Sequence, residues 1–318
     1  DSFSALDYQT DKNLRQALQS LGPSFIKLGQ IASSRRDIVP EEIAIELERL
    51  QDDVQSFDYE VVAQIIEREL GDRPENLFQS FNEEPLATAS IGQVHVATLL
   101  SGEEVAIKIQ RPDIEDIMVT DLEILHSLAR VLDKRVAWAR TYRIKDIIEE
   151  FSFSLKNELD YLLEGRNSER IAEQFIDDDR IKIPKVYWDY TTKKVLTMEL
   201  IRGIKVNHYE ELQEKGYDTK LIASRITDAM LQQILDASFF HGDPHPGNIY
   251  ILPNNRVAFL DFGMIGRLSN DLKYYFSSLI ISLQSGDTDG MINTFKEWGL
   301  LDHVEQMNAL RRDIDSLQ

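Results

Sequence analysis

The 318-residue chain predicts an α+β protein of two lobes: helices, a small sheet, more helices, then a loop with a short hairpin inside a helical second half. Three observations carry this. Apolar residues recur at helical spacing to about residue 70 and then switch to alternation. Two alternating runs, 92–100 and 103–110, flank Ser101-Gly102 and read as an antiparallel pair. A Gly- and Pro-rich loop at 241–248 precedes two more strand-length runs and a helical tail. The expected organisation is a helical extension over 1–75, a mixed lobe with inserted helices over 76–200, and a helical lobe over 201–318.

The elements follow in order. Gly22-Pro23 breaks an early helix and starts the next, on which Phe25, Leu28 and Ala32 share a stripe. Pro40-Glu41-Glu42 opens another. Asp58 is placed to cap a fourth, whose apolar pairs Val61/Ile65 and Val62/Ile66 run to a stop at Gly71. Residues 76–86 read as a strand, followed by the pair at 92–110. Helices are expected over 114–132 and 144–173, strands over 181–190 and 194–200, and a hinge near 199–203. A helix over 220–239 leads to the loop, strands 249–252 and 257–260 form the hairpin, and 270–318 reads as helical throughout.

Composition narrows the function classes. With 35 basic and 55 acidic side chains the net charge is −20, a poor match for nucleic acid, whose phosphates need clustered Lys and Arg. The same excess works against anionic membranes unless a local basic face overrides it. No cysteine is present, which excludes disulfides, Cys-zinc sites and thiol catalysis. No signal peptide is visible, and no run reaches the roughly 18 apolar residues of a membrane span. The chain opens on Asp rather than Met, as an excised piece would.

The chemistry concentrates in residues 241–263, HGDPHPGNIYILPNNRVAFLDFG. Asp243 and Asn248 are spaced as in the catalytic loop H-R-D-x-x-x-x-N, and Asp261-Phe262-Gly263 follows. Phosphoryl transfer from ATP needs phosphates held, Mg²⁺ to neutralise them and an acceptor in line. Asn248 and Asp261 supply oxygen ligands for Mg²⁺, and Asp243 can orient or deprotonate an attacking hydroxyl or water. H-G-D alone reads as a turn and D-F-G alone is a common tripeptide; both, in order around two strand-like runs, point to a nucleotide site. Upstream, Val105-Ala106-Ile107-Lys108 matches V-A-I-K, placing Lys108 to reach the α- and β-phosphates. An ordinary strand-end lysine would instead snorkel to solvent. Such a lysine needs a carboxylate; Glu158, Asp160 and Glu164 are at hand, of which Asp160 and Glu164 share a helix face. No glycine-rich loop precedes Lys108. Ala87-Thr88-Ala89-Ser90-Ile91-Gly92-Gln93 stands in its place, and its Cβ atoms limit how closely backbone approaches phosphate. In the hinge, Glu199 and Ile201 are candidate nucleotide contacts.

Together these residues resemble the UbiB family of atypical kinases, also called the ABC1 or ADCK family. Lys27-Leu28-Gly29-Gln30 is similar to its K-x-G-Q motif, 87–95 to its alanine-rich loop, and Glu158-Leu159-Asp160 to its E-x-D motif. Glu164 then corresponds to the glutamate that pairs with Lys108. The resemblance spans about residues 10–270, with Thr88 standing where the family usually has Ala. It implies a protein-kinase-like fold whose N-terminal helical extension covers the active site, with Lys27, Gln30, Glu158 and Asp160 in a regulatory role and Lys27 reaching Glu158 or Asp160. It further implies ATP and Mg²⁺ as cofactors, ATPase activity or autophosphorylation rather than phosphorylation in trans, and a role in isoprenoid-quinone or prenyl-lipid metabolism with quinone-biosynthesis proteins as partners. The implied place is the cytoplasm at the inner membrane face, with peripheral membrane contact, or the mitochondrial matrix or plastid side in a eukaryote. Two other classes compete. Aminoglycoside and choline kinases also use an H-G-D-x-x-x-x-N loop, although the K-x-G-Q helix and the ATASIGQVH loop argue against them. A nucleotide-binding scaffold with little turnover is the third reading, opposed by the intact Lys108, Asp243, Asn248 and Asp261.

Overall fold

The computed structural model describes residues 18, 20–34, 41–48, 56–136, 143–301, 310–312 and 314. By its contacts the chain forms two units, residues 1–169 with 184–202 and residues 170–183 with 203–318.

The first unit opens at Gly22, whose φ of 108° ends one helical segment and lets Pro23 begin α1 (Pro23–Ser34). After α2 (Glu41–Glu48), α3 (Tyr59–Leu70) buries Val62, Ala63, Ile65 and Ile66 and stops at Gly71 in the left-handed region. Asp58 occupies the N-cap position of α3, but its side chain makes no capping bond; only its carbonyl serves the helix. The strand expected over 76–86 is interrupted. Pro74 nucleates one helical turn, α4 (Pro74–Leu77), before β1 (Phe78–Phe81), and a bend separates this from β2 (Ala87–Thr88). β3 (Gly92–Leu99) and β4 (Glu104–Gln110) form the expected hairpin, with Gly102 at φ 99°.

Next come α5 (Ile114–Arg135), α6 (Ile144–Glu158) and α7 (Tyr161–Gln174). The single helix expected over 144–173 is broken because Asp160 caps α7, its carboxylate accepting from the Leu163 N–H at 3.1 Å, while the Tyr161 N–H turns to the Lys193 carbonyl. Of the strand expected over 181–190 there survive β5 (Ile181–Lys182) and an isolated antiparallel bridge from Val186 to Met198; Pro184 removes a ladder donor between them, and 188–190 close into a 3₁₀ turn. β6 (Val195–Glu199) completes the first unit's antiparallel sheet, ordered β1-β3-β4-β6 with β2 on β3. One face packs Val105, Ile107 and Ile109 against α3. Leu196 faces the other way, into a cluster built from α5 and α6 that Phe25 and Leu28 of α1 also join.

The second unit holds β7 (Ile204–Lys205), α8 (Tyr209–Glu214) and α9 (Thr219–Gln232), which Asp218 caps through the Lys220 and Leu221 N–H groups. The helix expected to reach 239 ends earlier. It widens into a π turn over Gln233–Ala237, and Ser238 at φ 52° redirects the chain into β8 (Phe239–His241). β9 (Ile249–Leu252) and β10 (Arg256–Phe259) form the predicted hairpin, flanked by β5 and β7 in one small sheet. β11 (Ile265–Arg267) pairs with β8. The tail is not one helix: Gly286 at φ 67° and the capping carboxylate of Asp287 separate α10 (Asn270–Ser285) from α11 (Thr288–Glu297), and most of 302–318 lies outside the described residues.

Candidate functional site

The residues singled out from sequence fall into two groups, one in each unit. In the first, strand alternation buries Val105, Ile107 and Ile109 completely and turns Lys108 to the opposite face. There its Nζ lies 3.0 Å from both carboxylate oxygens of Glu164, which is 2% exposed against 14% for the lysine. Tyr161, fully buried one turn earlier on α7, puts its ring 5.2 Å from the same Nζ. Its hydroxyl lies 3.0 Å from where a Cβ on Gly92 would be, and that Cβ would also press into the Ile109 carbonyl oxygen, so a glycine is required here. Tyr161 is a contributor the sequence did not advertise: beside a D-x-x-x-E pair it reads as one more core aromatic.

The loop before β3 divides in two. Ala87 and Ala89 are exposed and Thr88 half-buried, whereas Ser90 to Gln93 are buried. The Ala89 N–H closes the turn on the Gly92 carbonyl at 2.8 Å. Ile91 packs its side chain with Phe25 and Leu28 of α1, and its carbonyl accepts from the Arg111 N–H at 2.8 Å. The Gln93 amide points away from the loop: its oxygen accepts from the Phe57 N–H at 3.0 Å, and its nitrogen donates to the Phe57 carbonyl and to His95 Nε2 at 2.8 Å. His95 Nδ1 sits 2.8 Å from the Asn82 carbonyl, an acceptor only, so Nδ1 carries the proton and Nε2 is the acceptor. Burial pushes the His95 pKa down.

On α1, Lys27 forms an ion pair with Glu158 at 2.8 Å, both side chains mostly buried. Asp160 serves as the α7 cap instead. The side chain of Gln30 lies outside the described residues. At the end of β6, the Glu199 carboxylate accepts from the Lys185 N–H at 3.2 Å, and Ile201 follows, half-buried, in irregular chain.

In the second unit His241 organises the loop. It is 1% exposed. Its Nε2 donates to the Leu260 carbonyl at 3.0 Å, and its Nδ1 accepts from the Asp243 N–H at 3.2 Å. One imidazole thus ties the Asp243 backbone to the residue before Asp261. The Leu260 N–H, in turn, donates to the Asn248 carbonyl at 2.8 Å. Gln233, fully buried in the π turn, accepts from the His241 N–H at 2.9 Å. This support was invisible in sequence because the apolar pattern runs unbroken through 239. Asp261 adopts φ 60°, a left-handed value uncommon for a residue with a Cβ, and its carboxylate accepts from the Gly263 N–H at 3.2 Å. The Asn248 amide nitrogen donates to the Asp243 carbonyl at 3.4 Å, which leaves the amide oxygen as the acceptor for a cation. One carboxylate and one amide oxygen suit Mg²⁺, which keeps waters and takes phosphate oxygens to complete its shell. Among the described residues no group of three or more His, Asp or Glu forms a metal cage.

A strand lysine held by a helix carboxylate in one unit, and an H-G-D-x-x-x-x-N loop with D-F-G in the other, define an α+β protein of the kinase-like class. Residues 49–295 match the ABC1 atypical kinase-like domain. A probable protein kinase UbiB of Pseudomonas fluorescens is 40% identical over 86% of this chain and 52% of its own. The Arabidopsis thaliana protein ACTIVITY OF BC1 COMPLEX KINASE 7, chloroplastic, is 36% identical over 96% of this chain and 44% of its own. The structure of Rv3197 with erythromycin, from Mycobacterium tuberculosis, superposes with a TM-score of 0.65 at 26% identity, covering 93% of this chain and 74% of that one. The chain belongs to the ABC1 atypical kinase-like family. It spans about half the length of the curated relatives it matches. Among the described residues no helix is long and apolar enough to cross a membrane.

Proposed function

We propose that the protein binds ATP with Mg²⁺ and hydrolyses it, or phosphorylates itself, in support of isoprenoid-quinone or prenyl-lipid metabolism at a membrane surface. The observation that carries this reading is the Lys108–Glu164 pair. A carboxylate that is 2% exposed is costly to bury unpaired, and here both its oxygens hold one ammonium in place. A lysine kept so, on a strand face, can place a positive charge against the α- and β-phosphates without first being ordered.

In this reading Asn248 and Asp261 hold the metal, which when bound neutralises the phosphates. Asp243, its backbone fixed by His241, orients the attacking water or hydroxyl and takes its proton. Ala87 to Ala89 lie along the nucleotide, while Ser90 to Gln93 contribute through backbone and packing. Glu199 and Ile201 line the base. Pinning of α1 by Lys27 and Glu158, next to Ile91, supports a preference for water or the chain itself over another protein as acceptor. The chloroplastic relative supports a plastid place in a eukaryote.

The test is ATP hydrolysis with Mg²⁺, with and without liposomes and a prenylated phenol, beside Asp261→Asn. Turnover that rises with lipid and is lost in the variant supports the proposal. Transfer of phosphate to a soluble alcohol would move the protein to the small-molecule phosphotransferases. Tight ATP binding with no turnover under any condition would make it a scaffold.

A further inference from the structure

Helix α5 carries two apolar stripes where a surface helix needs one. The first, Ile114, Met118, Leu122, Leu125 and Ala129, is buried against the first unit. The second, Ile117, Ile124, Leu128 and Val131, falls within an arc of roughly 60° at about 100° per residue, and it faces solvent. These four side chains are 43%, 55%, 52% and 49% exposed. Four large aliphatics in one line on 22 residues are a patch, not scattered surface residues.

The charges beside the stripe say what covers it. Along one flank stand exposed Asp116 and Glu123 in the first half of the helix, and exposed Arg130 and Lys134 in the second. Arg130 already lies along the helix, donating to the His126 carbonyl and the Ser127 hydroxyl. A two-fold axis across the helix near residue 125 keeps this flank facing itself with its direction reversed. Acidic residues of one copy then meet basic residues of the other, Asp116 opposite Lys134, and the aliphatic side chains interleave. A parallel two-fold pair would put this flank on opposite sides of the seam, where its acidic and basic residues could not meet. We propose that this face of α5 pairs with α5 of a second copy of the chain, antiparallel, as an isologous interface. An anionic lipid surface is the poorer occupant, because Asp116 and Glu123 flank the stripe and the chain carries −20.

The chain has no cysteine, so introduced thiols report cleanly. Oxidising a mixture of Ile117→Cys and Val131→Cys chains is expected to give a crosslinked dimer, while Ile117→Cys alone gives little. In the antiparallel pair two copies of position 117 lie roughly 24 Å apart along the axis at 1.5 Å per residue. Sedimentation of the unmodified chain is expected to show a concentration-dependent dimer. Leu128→Asp, at an exposed position, should weaken that dimer at least tenfold, with an unchanged melting temperature at concentrations where both chains are monomers. Asp116→Lys should weaken it too, and Asp116→Lys with Lys134→Asp should restore it. A monomer at every concentration, Ile117→Cys crosslinking by itself as strongly as the mixture, or a dimer indifferent to Leu128→Asp each overturns the proposal. So does a monomer that binds phosphatidylglycerol vesicles through this face, shown by loss of binding in Leu128→Asp.

Discussion

Burial makes the Lys108–Glu164 pair asymmetric, because the carboxylate has far less access to water than the ammonium. Removing the lysine strands a buried charge, whereas removing both charged groups does not. Lys108→Met should therefore cost about 3 kcal/mol in urea denaturation, and Lys108→Met with Glu164→Leu should recover part of it. Equal losses in single and double variants would show that the pair is not the stabilising unit. His95 offers a second residue-scale test. Its hydrogen bonds need the neutral ring, and burial lowers its pKa in the fold. Unfolded, it returns to about 6.5, so below that pH the unfolded chain binds more protons and stability falls. Above it the contribution is complete. The stability gap between the wild type and His95→Asn should narrow as pH drops from about 7.5 to about 5.5, through that midpoint.

Elements carry the loop's geometry. Gly92 opens β3 where it passes under the Ile109 carbonyl and beside the Tyr161 hydroxyl, so Gly92→Ala forces strand and helix apart. Such overpacking typically costs about 1–3 kcal/mol, and the same shift should weaken Mg-ATP binding. Ala89 is exposed and bonded only through its backbone, so Ala89→Gly should leave the melting temperature nearly unchanged while altering nucleotide preference or autophosphorylation. Thermal scans and nucleotide titrations of the two variants side by side separate these outcomes; equal stability losses would remove the division between an exposed and a buried half of the loop. The breaks that sequence missed also belong to this scale. Sequence offers Asp160 as a partner for Lys108 or Lys27, yet its carboxylate caps α7 and so sets where Glu164 stands.

At the scale of the whole molecule, ligand binding is read as stability. A site that binds only the folded chain adds about 2.7 kcal/mol at a ligand concentration one hundred times Kd. Mg-ATP should raise the wild-type melting temperature, and Asp261→Asn should lose most of that rise. The substitution is a clean one, since Asn tolerates the left-handed backbone that Asp261 adopts and only the charge is removed. An undiminished shift in the variant would take Asp261 out of the metal shell. The chain's acidity bears on this scale too: at −20, association between copies needs locally segregated charge, and the flank of α5 has it.

Much of the layout was legible because its causes are local. Alternation marked β3 and β4, Gly102 marked their turn, Gly71 ended α3, and the spacing of Asp243, Asn248 and Asp261 marked the loop and hairpin. Turn and period rules act over a few residues, so a single chain displays them. Partner choice is different. Glu164 lies 56 residues from Lys108, and three carboxylates competed for that lysine. Packing of α7, started by its Asp160 cap and seated by Tyr161, brings Glu164 to it, while Glu158 goes to Lys27. Likewise Gln93, a loop residue by sequence, turns inward to hold Phe57, and His241 reaches across to Leu260. By itself the sequence determined the β3–β4 and β9–β10 hairpins, many helix starts and stops, the motif spacings and the types of chemistry on offer. Which group meets which was decided only by the tertiary structure, because a side chain's partner depends on how the helices and strands pack.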